Sequence, residues 1–180
     1  MLKQEYELKY RLESRDYDCL LESMNNYPSE KVVQKNYYYD TYNQDLRKNN
    51  ITMRVREKNG KAYGTIKRHL GNHTSTEEYF AVTLPRQILL YEGQDVYQAG
   101  MMQTERTTFR LTESVLLTLD HNTFLGICDY ELEIECPRNL LLPVDRLMTV
   151  VLSFKPQEHS KSERFFRRWN ELRNEPTLEV

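Results

Sequence analysis

Charged side chains at every second position are the feature of this chain that most directly suggests chemistry. Ionised residues alternate with apolar ones at Glu5, Glu7, Lys9 and Arg11, and again at Asp129, Glu131, Glu133 and Glu135. Because successive side chains of a strand point to opposite faces, each set shares one face. Two acidic strand faces that a fold brings together would suit a hard cation such as Mg²⁺ or Mn²⁺, which prefers oxygen ligands.

Three other segments carry basic residues with the same period of two. Arg54 and Arg56 share a face of 52–58, Lys67 lies on the face of Thr65 in 63–67, and Arg106 begins the basic segment 106–110. Same-face neighbours lie ~7 Å apart. At that distance like charges repel by about 0.6 kcal/mol in water and about 2.4 kcal/mol at an effective dielectric of ~20. An enclosed basic face therefore needs an anion, and arginine suits phosphate.

These patterns have two interpretations. Alternating charge is common on the solvated face of an antiparallel sheet, where it carries no function. Here, however, the charges are sorted by strand, with two acidic and three basic segments, and a solvated face gives no reason for such sorting. A polyphosphate bound with a divalent metal would satisfy both kinds of face, but the spacing alone leaves both interpretations open.

The segments between these motifs predict an antiparallel sheet with a few helices. Asn59-Gly60 is a strong hairpin signal between strands over 51–58 and 61–69. Ser14 is predicted to cap a helix over 15–26. Further strands are expected over 32–42, 75–84, 103–112, 115–122 and 126–136, and further helices over 86–91, 143–154 and 161–172. The expected fold class is α+β, mostly antiparallel β.

Composition limits the class of protein. The chain has 180 residues, a length that fits one domain over residues 1–180. Its net charge of −2 argues against a general nucleic-acid binder. No apolar run approaches the ~20 residues of a membrane span. The three cysteines lack zinc-site spacing, and no secretory signal is visible at the start of the chain. We therefore expect a cytoplasmic protein.

An ordered set of motifs carries a family resemblance. The set comprises Glu5-x-Glu7-x-Lys9, Tyr38-Tyr39-Asp40-Thr41, Met53-Arg54-Val55-Arg56, Thr65-Ile66-Lys67, Arg106-Thr107-Thr108-Phe109, Asp120 with Tyr130-Glu131-Leu132-Glu133-Ile134-Glu135, and Ser160-Lys161-Ser162-Glu163-Arg164-Phe165. This order resembles the CYTH superfamily, the triphosphate tunnel metalloenzymes, and in particular its small bacterial single-domain members. The resemblance implies a closed eight-stranded tunnel barrel with a few flanking helices and charged inward faces.

The resemblance also assigns roles to residues. The expected metal ligands are Glu5, Glu7, Glu131, Glu133 and Glu135, with Mg²⁺ or Mn²⁺ as the cofactor. The expected substrate-binding residues are Lys9, Arg54, Arg56, Lys67, Arg106 and Lys161, and the expected catalytic residues are Glu5, Glu7 and Lys9. The fourth strand departs from the family pattern, because Thr65 stands where a second basic residue is common.

The implied function is divalent-metal-dependent hydrolysis of a triphosphate, either inorganic tripolyphosphate or a small organic triphosphate such as thiamine triphosphate. The expected partner is this small-molecule substrate, with no DNA and no membrane, and the protein is expected to be a monomer or homodimer. Two alternatives stay open. One is a non-catalytic sensor of polyphosphate or nucleotide, which Thr65 keeps in consideration, and the other is an adenylate cyclase of the same superfamily.

Overall fold

The computed structural model describes residues 6–71 and 74–174, which form an antiparallel β structure with a few helices. The strands are β1 (Glu7–Leu12), β2 (Ser29–Asp40), β3 (Ile51–Lys58), β4 (Lys61–Gly71), β5 (Thr74–Ala81), β6 (Ile88–Tyr91), β7 (Gln94–Arg110), β8 (Leu116–Phe124), β9 (Ile127–Glu135) and β10 (Lys155–Pro156). The helices are α1 (Ser14–Ser23), α2 (Asp45–Lys48), α3 (Leu141–Arg146) and α4 (Lys161–Asn174). The expected fold class is confirmed. The described residues contain ten strands where eight were expected, and closure of the sheet stays a prediction.

The chain divides into two compact units, and each unit is discontinuous in sequence. The first unit contains the described residues up to Val33 together with Thr104–His159, and the second contains Gln34–Gln103 and the described residues from Ser160 onward. Strands β2 and β7 contribute residues to both units, because two of the three divisions fall inside these strands. The expectation of one domain over 1–180 stays a prediction.

In the first unit the strand order is β10-β1-β9-β8-β7. Register places Lys9 opposite Glu133 and Asp120 opposite Glu131, so the charged positions of three strands share one face. The intervening apolar side chains form the other face, a core that includes Tyr10, Leu119, Leu132 and Ile134 with α1 and α3 packed against it. The alternation seen in the sequence is thus a division between a core face and a polar face.

In the second unit the strand order is β2-β3-β4-β5. The predicted hairpin between β3 and β4 is present, and Asn59 and Gly60 have φ angles of 52° and 72°, as a type I′ turn requires. The core of this unit includes Tyr39, Met53 and Val55. Because these residues alternate with Tyr38, Arg54 and Arg56, the basic residues lie on the opposite face of the sheet.

The helix expected over 86–91 is wrong, because this segment contains strand β6, which pairs with the start of β7. Glu92 and Gly93, with φ angles of 48° and 79°, form the two-residue loop of the hairpin between β6 and β7. Leu89 and Tyr91 pack into the core while Ile88 and Leu90 are exposed. This period of two is that of a strand, and four residues were too few to distinguish it from a helical turn.

Two further expectations about helices need correction. Ser14 is the first residue of α1, after Glu13, and no side chain caps this helix, which ends at Ser23. The helix expected over 143–154 begins and ends earlier and is not uniform, because a 3₁₀ turn (Arg138–Leu140) leads into α3 and a π-helical stretch (Leu147–Val151) follows it. No helix in the described part of the chain has both the length and the apolar character needed to traverse a lipid bilayer.

Candidate functional site

Three carboxylates form a buried acidic cluster in the first unit. Asp120 on β8 lies directly opposite Glu131 on β9, and Glu133 follows two residues along the same face. One carboxylate oxygen from each of Asp120, Glu131 and Glu133 lies within 4.8 Å of the other two, and the three residues are 0–4% exposed. Such proximity of buried like charges is unfavourable without cations nearby.

Lys9 provides one positive charge beside the acidic cluster. Its Nζ lies 3.1 Å from Oε1 of Glu133, the residue opposite it in register, and 3.0 Å from Oε2 of Glu7. Burial and the charge of Glu133 raise the pKa of Glu7, and Lys9 offsets only part of this effect. Glu7 therefore belongs to the same electrostatic environment as the acidic cluster.

Arg106 on β7 provides the second positive charge. Its Nε and Nη2 donate to the two oxygens of Asp120 at 2.8 and 2.6 Å, and Nη2 also donates to Oε2 of Glu133 at 2.8 Å. Burial alone would lower the pKa of Arg106, but the hydrogen bonds and charge of Asp120, with Glu133 and Glu7, raise it. The guanidinium is thus held as a cation and fixes both carboxylates in place.

The named groups can hold a divalent metal. Glu7 and the acidic cluster contribute four carboxylates, whereas Lys9 and Arg106 contribute two cations. Among these six groups negative charge therefore exceeds positive charge by two, the charge of one divalent ion. Closely spaced carboxylate oxygens are the ligands that Mg²⁺ and Mn²⁺ prefer.

A second polar group on this face lies beside the acidic cluster. Thr104 Oγ1 donates to Asn122 Oδ1 at 2.7 Å, and Asn122 Nδ2 donates to Asp129 Oδ1 at 2.8 Å. Thr104 and Asn122 are fully buried. Since Asn122 is opposite Asp129 and two residues from Asp120, these hydrogen bonds help to fix the register of β7, β8 and β9 next to the carboxylates.

The second unit contains two neighbouring arginines on β3. Arg56 Nε donates to Asn36 Oδ1 at 2.8 Å, and Arg54 Nη2 lies 3.5 Å from Oε1 of Glu77. Burial lowers the pKa of Arg54, and the charge of Arg56 lowers it further. Because two adjacent guanidiniums repel one another here, an anion bound between them would be stabilised.

Helix α4 adds more positive charge to this region. Tyr38 on β2 lies opposite Arg54 of β3 and is 1% exposed. The centre of its ring lies 4.7 Å from that of the Phe165 ring on α4. Burial raises the pKa of Tyr38, and the charges that act against this rise are those of Arg54, Lys161, Arg56 and Arg164. These four residues form a basic cluster around a buried tyrosine.

The sequence-predicted residues are distributed over both units. In the first unit Lys9, Arg106, Glu131 and Glu133 come together with Glu7 beside them, whereas Glu135 lies opposite Glu7 at the end of β9, outside the acidic cluster. In the second unit Arg54, Arg56 and Lys161 come together, and Lys67 lies opposite Glu77. Glu5 lies outside the described residues.

Asp120 is the member of the acidic cluster that was absent from the predicted metal ligands. It is the only carboxylate of its strand, with Thr118 and Asn122 as its same-face neighbours. Asp120 therefore belongs to no run of alternating charged residues in the sequence. The available signal was its period-two spacing between buried apolar residues, which placed it on the face that β9 makes acidic.

Solved structures share this fold. The chain is 24% identical to a Bacillus halodurans protein described as a "putative adenylate cyclase", with a TM-score of 0.67 over 90% of this chain and 97% of the other. It is 20% identical to "Putative adenylyl cyclase HpAC1 from Hippeastrum", described as having a dominant triphosphatase activity, with a TM-score of 0.70 over 91% of this chain and 96% of the other.

Sequence comparison gives a relative in Bacillus subtilis. The chain is 28% identical over 146 residues to "Putative triphosphatase YjbK", an alignment that covers 73% of this chain and 76% of the relative. The family model described as the CYTH domain matches residues 3–166, which include the acidic cluster, the basic cluster and the strands that position them. The chain therefore belongs to the CYTH family.

Proposed function

We propose that the protein hydrolyses a triphosphate, either inorganic tripolyphosphate or a small organic triphosphate such as thiamine triphosphate, with the help of Mg²⁺ or Mn²⁺. The observation that carries this proposal is the acidic cluster of Asp120, Glu131 and Glu133, buried and bordered by Lys9 and Arg106. The name of the Bacillus subtilis relative and the activity described for the Hippeastrum protein point to the same substrate class.

The acidic cluster would hold the metal, with Glu7 beside it and with Glu5 and Glu135 as the remaining proposed ligands. When bound there, a divalent cation would supply positive charge that offsets the charge of the phosphate oxygens and would help to orient water. Arg106 would keep two of these carboxylates in position for the metal, because its guanidinium donates hydrogen bonds to both Asp120 and Glu133.

The basic residues would bind the phosphate chain. Arg54, Arg56 and Lys161 belong to the basic cluster of the second unit, and Lys67, Lys9 and Arg106 complete the proposed substrate-binding set. Phosphoryl transfer requires chiefly positioning and neutralisation of the negative charge on the transferred group. The arginines can supply both, because each guanidinium presents paired donors to phosphate oxygens in a fixed geometry.

The test is an assay of phosphate release from tripolyphosphate, thiamine triphosphate and ATP, each with Mg²⁺, with Mn²⁺ and with EDTA. We expect metal-dependent release from at least one triphosphate and none with EDTA. Cyclic AMP formation from ATP would favour the cyclase alternative, and tight binding without turnover would favour a sensor. Absence of both turnover and binding would contradict the proposal.

A further inference from the structure

Three buried polar side-chain atoms of the second unit, one of them Nη1 of Arg47, make no hydrogen bond within the described residues, and the other two lie beside the arginine pair of β3. They are Nδ2 of Asn36 and Oγ1 of Thr65, and each residue is 1% exposed. Buried polar groups in folded proteins are nearly always hydrogen-bonded, because an unpaired one loses its interaction with water without compensation. Two such atoms near the same pair of arginines therefore require an explanation.

Strand register fixes where these atoms lie. Asn36 on β2 is directly opposite Arg56 on β3, and Thr65 on β4 is directly opposite Arg54. Side chains opposite one another in an antiparallel pair share a face and have Cβ atoms ~5 Å apart. Since Arg54 and Arg56 are same-face neighbours on β3, Asn36 and Thr65 flank the arginine pair on its two sides.

The orientation of the Asn36 amide is set by its neighbour. Arg56 has only donor groups, so the amide atom that faces its Nε at 2.8 Å must be the oxygen. The amide nitrogen is then directed away from this bond, with two N–H donors. The arrangement thus combines two guanidiniums, one amide donor and one hydroxyl donor, and a bound anion would compete there with the Glu77 carboxylate, which lies 3.5 Å from Nη2 of Arg54.

From this arrangement we infer that Asn36 and Thr65 are substrate-binding residues that donate hydrogen bonds to an oxyanion held by Arg54 and Arg56, namely a phosphate group of the substrate. The inference rests on the proposed function for the identity of the anion. Neutral donors add directionality to the site without adding charge. They also reduce the repulsion that a third or fourth cation next to Arg54 would create, given that burial and Arg56 already lower the pKa of Arg54.

The main test is binding of inorganic tripolyphosphate by calorimetry, in EDTA, to the full chain. Thr65→Val removes the hydroxyl and keeps the shape of the side chain. We expect its affinity to fall about tenfold, which corresponds to ~1.4 kcal/mol. Its melting temperature should be equal to or higher than that of the wild type, because an unpaired buried polar atom has been removed. Thr65→Ser, which retains the hydroxyl, should bind nearly as the wild type does.

A double-mutant cycle separates donation by Asn36 from its support of Arg56. If Asn36 only positions Arg56, Asn36→Leu should have no further effect once Arg56→Ala has been made. If Asn36 donates to the anion, the loss of affinity should persist in the Arg56→Ala background. Thr107→Val is the control, because Thr107 is a buried threonine of the first unit on the face opposite Arg106, and its affinity should match the wild type.

The outcomes distinguish this inference from the proposed function. If the wild type binds tripolyphosphate and both Thr65→Val and Asn36→Leu bind it within twofold, the inference is overturned while the proposed hydrolysis can stand. If the wild type binds tripolyphosphate without hydrolysing any triphosphate and the variants lose binding, the proposed hydrolysis fails and the inference stands. If the wild type does not bind tripolyphosphate, the inference is overturned.

Discussion

At the scale of single residues, Glu133 links the acidic cluster to the two positive charges beside it. It lies within ion-pairing distance of both Lys9 and Arg106 and belongs to the acidic cluster. Glu133→Gln should reduce metal-dependent turnover by ~100-fold or more and weaken Mn²⁺ binding, because it removes a charged oxygen ligand. Glu105→Gln, at an exposed position of the same unit, is the matched control. Wild-type turnover in Glu133→Gln would show that the acidic cluster is not the metal site.

A second prediction at this scale concerns Arg54. Its guanidinium is largely buried next to Arg56, and its proposed role is to bind a phosphate oxygen. Arg54→Ala should raise KM or lower kcat by about tenfold or more, because one hydrogen bond between charged groups contributes ~1.5–3 kcal/mol. The measurement is steady-state hydrolysis of the preferred triphosphate with Arg86→Ala, an exposed arginine of the same unit, as the control. Unchanged kinetics would remove Arg54 from the proposed site.

The sequence indicated candidate site residues where charged residues repeat at every second position. It did not indicate them where a polar residue stands alone in its strand. Glu131 and Glu133 were found because a run of alternating carboxylates is conspicuous, and the structure places both in one buried cluster. Asp120, Asn36 and Thr65 carry no such signal. Their proposed roles depend on register with residues far away in the sequence, and a single sequence does not specify that register.

At the scale of secondary-structure elements, the pairing of β4 with β5 includes one close approach between a glycine and an aromatic ring. Gly64 lies opposite Phe80, and a Cβ atom added at Gly64 would overlap the Phe80 ring. Gly64→Ala should therefore lower the free energy of unfolding by ~1–3 kcal/mol through overpacking. The double variant Gly64→Ala/Phe80→Leu, measured by the same urea titration, should recover part of this loss. Equal stability of Gly64→Ala and the wild type would contradict the contact.

The contact between β1 and α3 gives a prediction about pH. Tyr10 is 1% exposed and its hydroxyl donates to Asp145 Oδ1 at 2.8 Å. Burial first, and this hydrogen bond next, raise the pKa of Tyr10 above its usual value near 10. A raised tyrosine pKa means that the folded state resists ionisation. The stability that Tyr10 contributes is therefore present below pH 10 and is lost as the pH rises above 10.

Tyr10→Phe should consequently be less stable than the wild type by ~1 kcal/mol near neutral pH, because one buried hydrogen bond is lost. Above pH 10 the difference should shrink by up to ~1.4 kcal/mol per pH unit, since the variant has no proton to release there. Urea unfolding at several pH values measures both effects. Tyr27→Phe, at an exposed position, is the control. A difference that stays constant above pH 10 would contradict the raised pKa.

Turn chemistry explains which elements the sequence predicts. The hairpin between β3 and β4 was predicted because Asn59-Gly60 readily adopts positive φ. The hairpin between β8 and β9 turns through Leu125 and Gly126 with φ angles of 46° and 78°. Leucine gives no signal for such a turn. Pairing of β8 with β9 imposes this conformation on Leu125, and pairing with β7 makes β6 a strand instead of the expected helix.

At the scale of the whole molecule, the proposed function divides two tasks between the acidic cluster, which would hold the metal, and Arg54, which would hold a phosphate group. Glu133→Gln and Arg54→Ala should both abolish most turnover, but for different reasons. Mn²⁺ binding should be lost in Glu133→Gln and retained in Arg54→Ala, whereas tripolyphosphate binding in EDTA should show the reverse pattern. Calorimetry with each ligand measures this separation. Loss of both ligands in either variant, with the fold intact by circular dichroism, would contradict the division of tasks.

The interleaving of the two units along the chain also bears on how the protein folds during synthesis. The first unit includes both the opening strand and residues 104–159, and the second needs α4, which begins at Lys161. A ribosome that has released only the first hundred residues has therefore supplied neither unit with all its strands and helices. Until translation proceeds further, the early strands of the nascent polypeptide lack some of the segments that they pair and pack with in the folded protein. Compared with a protein whose domains follow one another in sequence, this one should depend more on chaperones while translation is under way.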